Sequence, residues 1–350
     1  MMKSKTYIAT PPGATIKEQL IDRDMSQKEF AQRMDMSEKH ISKLINGEVQ
    51  LTPDVAMRLE MVLGLPARFW NNLEAIYREK LQLVQAENEM EQDIAIMKKY
   101  PYAEMVKYGW VADVKKSEER VFSLRKHFEV VKLSMLKAPL IPGIAYRRQS
   151  ISEKAECALL AWAQRAKLEA RQIDTKPIDL QKLETIIPEI RSMTSSNPRE
   201  FCPNLINMLS DCGIALVFLP HIGGSFLHGA TFFDRNKIVV GLTVRGKDAD
   251  KFWFSLFHEL GHILKGHISN VEGTTDEDEQ EADSYARQIL IPDVDFNRFA
   301  NEGQFTVDSM QVFAHREGID VGILVGRLQK EGYIQYNWFN ELKTKYELTA

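Results

Sequence analysis

Between Ser26 and Gly64 the chain starts and stops a helix three times. Ser26-Gln27-Lys28-Glu29 has the form of a capping box, in which a serine hydroxyl and a carboxylate three residues on reciprocally satisfy free backbone donors. It opens a short helix that ends near Met34. Asp35-Met36 leaves room only for a tight connection. Ser37 caps a second short helix, which Gly47 stops. Thr52-Pro53 supplies a cap followed by a proline at the first helical position, and Gly64 ends that helix. Apolar Phe30, Ala31 and Met34, then Ile41, Leu44 and Ile45, then Leu59 and Leu63 give each helix one inward face. Helices this short are marginal in isolation, so they must pack on one another. The chain's composition, 44% hydrophobic and 27% charged, is that of an ordinary globular protein and excludes a largely disordered chain, a collagen and a coiled-coil rod.

Two short helices joined by so tight a turn, inside a helical cluster, form the helix-turn-helix pattern. Gln27 opens the first of them. Ser37, Glu38, Lys39, His40, Ser42 and Lys43 lie at the front and on the outward face of the second, and together these are the candidate DNA-binding residues. Such polar groups suit base edges and phosphates. A helical bundle whose charges merely face solvent would show the same pattern. The net charge of −4 excludes coating of nucleic acid by bulk charge, but not a local reading surface.

Pro11-Pro12-Gly13, Ser26-Gln27, Ala31, Ser37, Ile41-Ser42, Ile45-Asn46-Gly47, Leu59, Leu63-Gly64, Phe69-Trp70 and Leu73 resemble the XRE (Cro/repressor) class, and more narrowly HigA-type antitoxins. The resemblance covers about residues 8–80. It implies a homodimer on palindromic operator DNA, autoregulation, and a cognate toxin as partner.

The second informative stretch is His258-Glu259-Leu260-Gly261-His262, flanked by Trp253-Phe254-Ser255-Leu256-Phe257 and Ile263-Leu264. Apolar residues at three- and four-residue intervals predict a buried helix, roughly Ala249–Leu264. Histidines four apart project from one face and can occupy two corners of a Zn²⁺ tetrahedron. Glu259, about 100° round the helix, can reach a water without ligating. It is the candidate catalytic base. A core helix with two hydrogen-bonded histidines is the plain alternative. Downstream, Glu279-Gln280-Glu281-Ala282-Asp283-Ser284-Tyr285-Ala286 predicts a second helix ending before Pro292. Glu279 and Asp283 share a face, with Ala282 and Ala286 alongside to permit close packing. Glu279 is the preferred third ligand over Glu281, and Asp283 can accept a hydrogen bond from a ligand histidine. His228, Tyr285 and His267 are candidates for stabilising an oxyanion, although His267 reads better as a loop or helix-end residue.

Gly213–Leu219, Gly229–Phe233 and Lys237–Leu242 read as short strands, with Asp234-Arg235-Asn236 as a hairpin connection. Taken with Phe257–His262 and with Glu279-x-x-Ala282-Asp283-x-x-Ala286…Leu290-Ile291-Pro292, they resemble the ImmA/IrrE metallopeptidase family over about residues 145–300. The segment Gly318–Gln329 resembles the tail of fusions between that domain and antitoxin-type DNA readers. Tyr285 stands where the family commonly has Phe. The resemblance implies a zinc endopeptidase that cleaves a repressor or antitoxin partner, with spacing similar to the gluzincins.

The expectation is therefore a multidomain chain. An all-α helix-turn-helix domain (1–80) is followed by a helical linker (81–144). An α+β zincin-like metallopeptidase domain (145–300) and a C-terminal extension (301–350) complete it. Residues 150–175 read as an amphipathic helix with Leu159, Leu160, Trp162, Ala163 and Leu168 toward the core. No run of about 18 apolar residues exists to cross a membrane. Without an export signal, Cys157, Cys202 and Cys212 read as reduced thiols, and the expected location is the cytoplasm. Two functions stay open: a repressor or antitoxin that also cleaves a protein partner, and a non-proteolytic one whose metallo-domain binds a toxin or signal.

Overall fold

Five helices carry the described residues 8–97: α1 (Pro12–Asp22), α2 (Gln27–Arg33), α3 (Glu38–Ile45), α4 (Pro53–Leu63) and α5 (Ala67–Met97). They come from a computed structural model that describes residues 8–137, 152–223, 228–243, 248–269 and 274–346. The chain divides into two units, residues 1–94 and 95–350. The expected boundary after residue 80 falls within α5. The boundary after 144 lies outside the described residues, and the boundary after 300 falls within a helix.

In the first unit Ile16, Phe30, Met34, Ile41, Leu59 and Trp70 are fully buried together. Each such side chain contributes roughly 1.5–3 kcal/mol by leaving water. The hydroxyls of Ser26, Ser37 and Thr52 accept from the backbone N–H three residues on, capping α2, α3 and α4. Only half of the expected capping box at Ser26 forms. The Glu29 carboxylate pairs instead with Arg33, one helical turn ahead, at 2.7 Å. Asp35 turns the chain between α2 and α3 with φ 51°. Arg58 from α4 closes that turn by donating to the Met34 carbonyl at 3.0 Å. Gly13 seats α1 on the end of α3, since a Cβ there would stand 2.0 Å from the Ile45 carbonyl oxygen.

The second unit begins with α6 (Tyr102–Lys107) and α7 (Ser117–Phe128). Tyr100, Tyr102, Trp110, His127 and Phe128 are buried there, so this stretch is a packed part of the second unit. Then come α8 (Glu153–Ala170), α9 (Leu180–Ser192), α10 (Pro198–Ser210), β1 (Ile214–Leu219), β2 (Gly229–Asp234) and β3 (Lys237–Thr243). The sheet order is β1-β3-β2. β1 and β3 are parallel, with Ile214 opposite Ile238. β2 and β3 form an antiparallel hairpin in which Asp234 pairs with Lys237. Arg235, at φ 59°, turns the hairpin.

Side chains alternate across the sheet. Ile238, Val240 and Leu242 join the main core. Gly241, of opposite parity, meets α8, where a Cβ would lie 2.5 Å from the Trp162 ring. The single apolar stripe expected for α8 is not what forms. Cys157, Ala158, Leu159, Ala161, Trp162, Ala163, Gln164 and Ala166 are all buried, whereas Leu168 is only half-buried. Sheet on one side and α7 on the other leave this helix little solvent-facing surface.

The other sheet face carries α11 (Ala249–Leu264), which packs against α12 (Asp276–Leu290). α13 (Asp293–Glu302), α14 (Val307–Glu317) and α15 (Val321–Lys330) complete the unit. The start of α11 is fixed by the chain's end. Ala249 N–H donates to the Thr344 carbonyl, and the nearly buried Asp250 pairs with Lys343 at 2.9 Å. The end of α12 is fixed by Arg191 of α9, whose guanidinium donates to the carbonyls of Ile289 and Leu290. Two helices anchored at these ends hold the residues described next.

Candidate functional site

α11 is built by apolar residues on most of its circumference. Trp253, Leu256, Phe257, Leu260 and Ile263 are all buried. Gly261 lets α12 approach: a Cβ there would meet Tyr285 Cδ1 at 3.1 Å and Ala282 Cα at 3.3 Å. The Tyr285 ring thus packs between the two helices, and burial pushes its hydroxyl up to about 12.

This approach brings His258, His262 and Glu279 together, with one donor atom from each within 4.8 Å of the others. His258 Nε2 and His262 Nε2 are 3.0 Å apart. Glu279 Oε2 lies 3.4 Å from His258 Nε2, and its Oε1 lies 3.5 Å from His262 Nε2. For tetrahedral zinc with bonds near 2.0–2.1 Å, neighbouring donors are separated by about 3.3 Å. The two imidazole nitrogens, and each Glu279 oxygen with its own histidine, lie within a few tenths of an ångström of that figure, and a single Glu279 oxygen stays within 4.8 Å of both nitrogens.

The electrostatics point the same way. Burial alone would disfavour a charged His258. Hydrogen bonds to Asp283 and Glu279 outweigh it and push the imidazole up to about 10. Burial alone would raise the Glu279 carboxyl; hydrogen bonds from His258, His262 and Thr274 outweigh it and hold the group far below the usual range. Asp283 is likewise held low, against burial, chiefly by His258. The imidazole and the two carboxylates thus favour each other's charged forms and make one ion-paired cluster of donor groups.

Asp283 Oδ1 accepts from His258 Nδ1 at 2.8 Å, which leaves the Nε2 lone pair of the neutral ring facing the triangle. Glu259 stands outside the triangle. It is buried, and its Oε2 accepts from the Thr231 hydroxyl of β2 at 2.6 Å. Its Oε1 lies against Gly229, where a Cβ would come within 2.7 Å. Glu281 pairs outward with Lys265 at 2.9 Å and with His267 at 3.3 Å, so it does have partners of its own. His267 is not a free helix-end residue: it is buried, and its Nδ1 lies 3.0 Å from His262 Nδ1. His228 is exposed at the start of β2.

Sequence reading missed Thr231, Thr274 and the part played by His267. Thr274 donates to Glu279 Oε1 at 2.7 Å and fixes the carboxylate's rotation. The only signal was a hydroxyl just before the N-terminus of an acidic helix. Thr231 carried none, because threonine is ordinary in a strand. Glu272 lies outside the described residues; Asp276, Glu277 and Asp278 form the first turn of α12.

In the first unit, Gln27 is exposed at the start of α2. Ser37, Glu38, Lys39 and Lys43 are exposed along α3, while His40 and Ser42 are half-buried. The Ser37 hydroxyl is engaged in capping. Of the nearby cations, Arg33 and Arg58 are tied to Glu29 and Asp54. Among the described residues Lys39 and Lys43 form no ion pair, so their ammonium groups face outward unneutralised.

Comparison with known proteins concerns this first unit. Residues 16–70 match the family model HTH_3, described as Helix-turn-helix. The chain is similar to the uncharacterized HTH-type transcriptional regulator YddM of Escherichia coli (strain K12): 36% identity over 63 residues, 18% of this chain and 67% of that protein. It is also similar to the structure of an addiction module antidote protein of a HigA family from Coxiella burnetii. That match has 27% identity and a TM-score of 0.22, and covers 24% of this chain and 92% of the other.

Proposed function

We propose, from the premise that this chain belongs through residues 16–70 to the XRE-type helix-turn-helix regulators, that it is an operator-binding repressor of the antitoxin kind carrying a zinc-dependent endopeptidase. The first unit reads DNA through α3. Lys39 and Lys43 engage phosphates, and Gln27, Ser37, Glu38, His40 and Ser42 lie toward the base edges. The near balance of charge makes that binding local and salt-sensitive. A second copy on a palindromic operator and a cognate toxin are the partners this reading implies.

The observation that carries the second half is the triangle of His258, His262 and Glu279 with a separate buried carboxylate beside it. Structural zinc sites close all four positions with protein ligands. Among the described residues this one gathers three. His258, His262 and Glu279 would hold the ion, with Asp283 orienting His258. Zinc, when bound, supplies Lewis acidity toward water and a scissile carbonyl. The protein's own residues handle the proton. Glu259 Oε2 is occupied by Thr231, so Oε1 takes the proton of the attacking water and delivers it to the departing amine nitrogen. Water oxygen bonds to the carbonyl carbon as the C–N bond breaks. On this reading the second unit is zincin-like, as the resemblance to the ImmA/IrrE family implies.

The test uses the full chain, zinc-loaded, and its Glu259→Gln variant, each incubated with the protein encoded beside it. Intact-mass spectrometry should find a cut made by the wild type and not by the variant, with both still binding their own promoter. If neither cuts while both bind zinc and repress equally, the peptidase reading is wrong and the metallo-domain is a binding module.

A further inference from the structure

On its outer nitrogen, Nδ1, His258 has the Asp283 carboxylate, whereas among the described residues His262 Nδ1 meets none. What His262 has is a second histidine. Gly266, at φ 78°, reverses the chain after α11 and folds His267 back beneath it. His267 is buried, with 9% of its surface exposed, and its Nδ1 lies 3.0 Å from His262 Nδ1. On its far side His267 Nε2 lies 3.3 Å from Glu281 Oε2 and 3.5 Å from Asp278 Oδ1. The remaining oxygens of these two acids are already engaged: Glu281 Oε1 with Lys265, and Asp278 Oδ2 with the Thr275 N–H that it caps.

Hydrogen-bond polarity then runs in one direction. An ionised carboxylate only accepts, so His267 Nε2 carries the proton. In the neutral ring His267 Nδ1 is left as an acceptor. Two facing nitrogens need one donor between them, so His262 Nδ1 carries a proton and donates it. His262 Nε2 is left with a lone pair aimed into the triangle. We propose that His267 is a positioning residue for the metal centre, relaying the acids of α12 to His262 and fixing it in the tautomer that ligates through Nε2. This rests on the reading of the triangle as a zinc site. α12 would then supply the third ligand and orient both histidines of α11. Glu279 ligates, Asp283 orients His258 directly, and Asp278 with Glu281 orients His262 at one remove.

Outer partners of ligand histidines typically matter about 10–100-fold in metal affinity. The experiment measures zinc affinity of the full chain by competition with a chromogenic chelator, for wild type, His267→Leu and His267→Gln. Leucine fills the space but leaves His262 Nδ1–H without an acceptor. A glutamine amide can accept from His262 through its oxygen and donate to Glu281 through its nitrogen. The expected order is a loss of about 10-fold or more for leucine, largely restored by glutamine. Equal affinity of all three, or a glutamine variant as weak as leucine, overturns the relay and leaves His267 as packing. Should the leucine variant fail to fold, long-range ¹H–¹⁵N spectra of zinc-loaded, histidine-labelled wild type decide. His262 metallated at Nε2 and protonated at Nδ1 supports the proposal, and metallation at Nδ1 overturns it. A wild-type chain that takes up no zinc removes the metal reading itself; normal uptake with an indifferent His267 removes only the relay.

Discussion

Gly261→Ala separates stability from metal binding. In a helix interior alanine is favoured over glycine by about 1 kcal/mol. Here the added methyl would stand 3.1 Å from Tyr285 Cδ1 and 3.3 Å from Ala282 Cα, so α12 must yield by a few tenths of an ångström. Overpacking of this kind costs about 1–3 kcal/mol. The propensity gain offsets part of this cost, and the metal-free second unit should lose about 0–2 kcal/mol. The proposed metal centre has no such compensation. Both histidines ride on α11 and Glu279 rides on α12. Zinc–ligand distances hold only within about 0.2 Å, so the same displacement exceeds what the centre tolerates. We expect zinc affinity to fall about 10-fold, equivalent to about 1.4 kcal/mol. Hydrogen exchange on peptides from α11 and α12 in the metal-free chain reads the stability, and chelator competition reads the affinity. Gly261→Val, with a bulkier β-branch to accommodate and a smaller propensity gain than alanine's, should lose both. If Gly261→Ala protects the two helices more strongly and binds zinc as wild type does, the close approach of α12 is not what this glycine provides.

Gly13→Ala should be far more damaging than its size suggests, because the nearest atoms, at 2.0 and 2.3 Å, are backbone of Ile45. We expect a loss of about 3 kcal/mol or more, read as faster hydrogen exchange across residues 12–63 and lost promoter binding. His127 should make the second unit acid-sensitive. Burial is the main cause that pushes its imidazole down to about 4. The folded protein keeps it neutral while the unfolded chain takes up a proton below about pH 6.5. Its contribution is whole above that pH and is lost as pH falls toward 4, by about 3 kcal/mol in all. His127→Gln should flatten this part of the profile in urea denaturation at pH 7 and pH 5; an unchanged slope would contradict it.

Local signals were legible because they act over one or two turns. Ser26, Ser37, Thr52 and Gly64 place helix ends through hydrogen bonds to near neighbours, and those ends are where the structure has them. The strands and α11 follow from periodicity, and helical spacing put Asp283 on the same face as Glu279, while its contact with His258 needed the two helices to pack. Glu29 shows the limit even of local rules: two acceptable partners lay within reach, and Arg33 competed successfully for the carboxylate. The course of α5 through residue 80 carried no stop signal to mark where one unit ends.

What the chain order determined by itself was which side chains share a helix face: His258 with His262, Glu279 with Asp283, Lys39 with Lys43. These follow from the helical repeat of about 3.6 residues and hold wherever the helix sits. Tertiary packing decided everything that depends on the distance between elements. It set Glu279 against both histidines, put Thr231 on Glu259, folded His267 under His262, and wrapped α8 on nearly all sides. Such contacts join residues far apart in sequence or turned back by a single glycine, and no local period encodes them. They are fixed only when Gly261 and Gly241 let neighbouring elements close to within van der Waals reach.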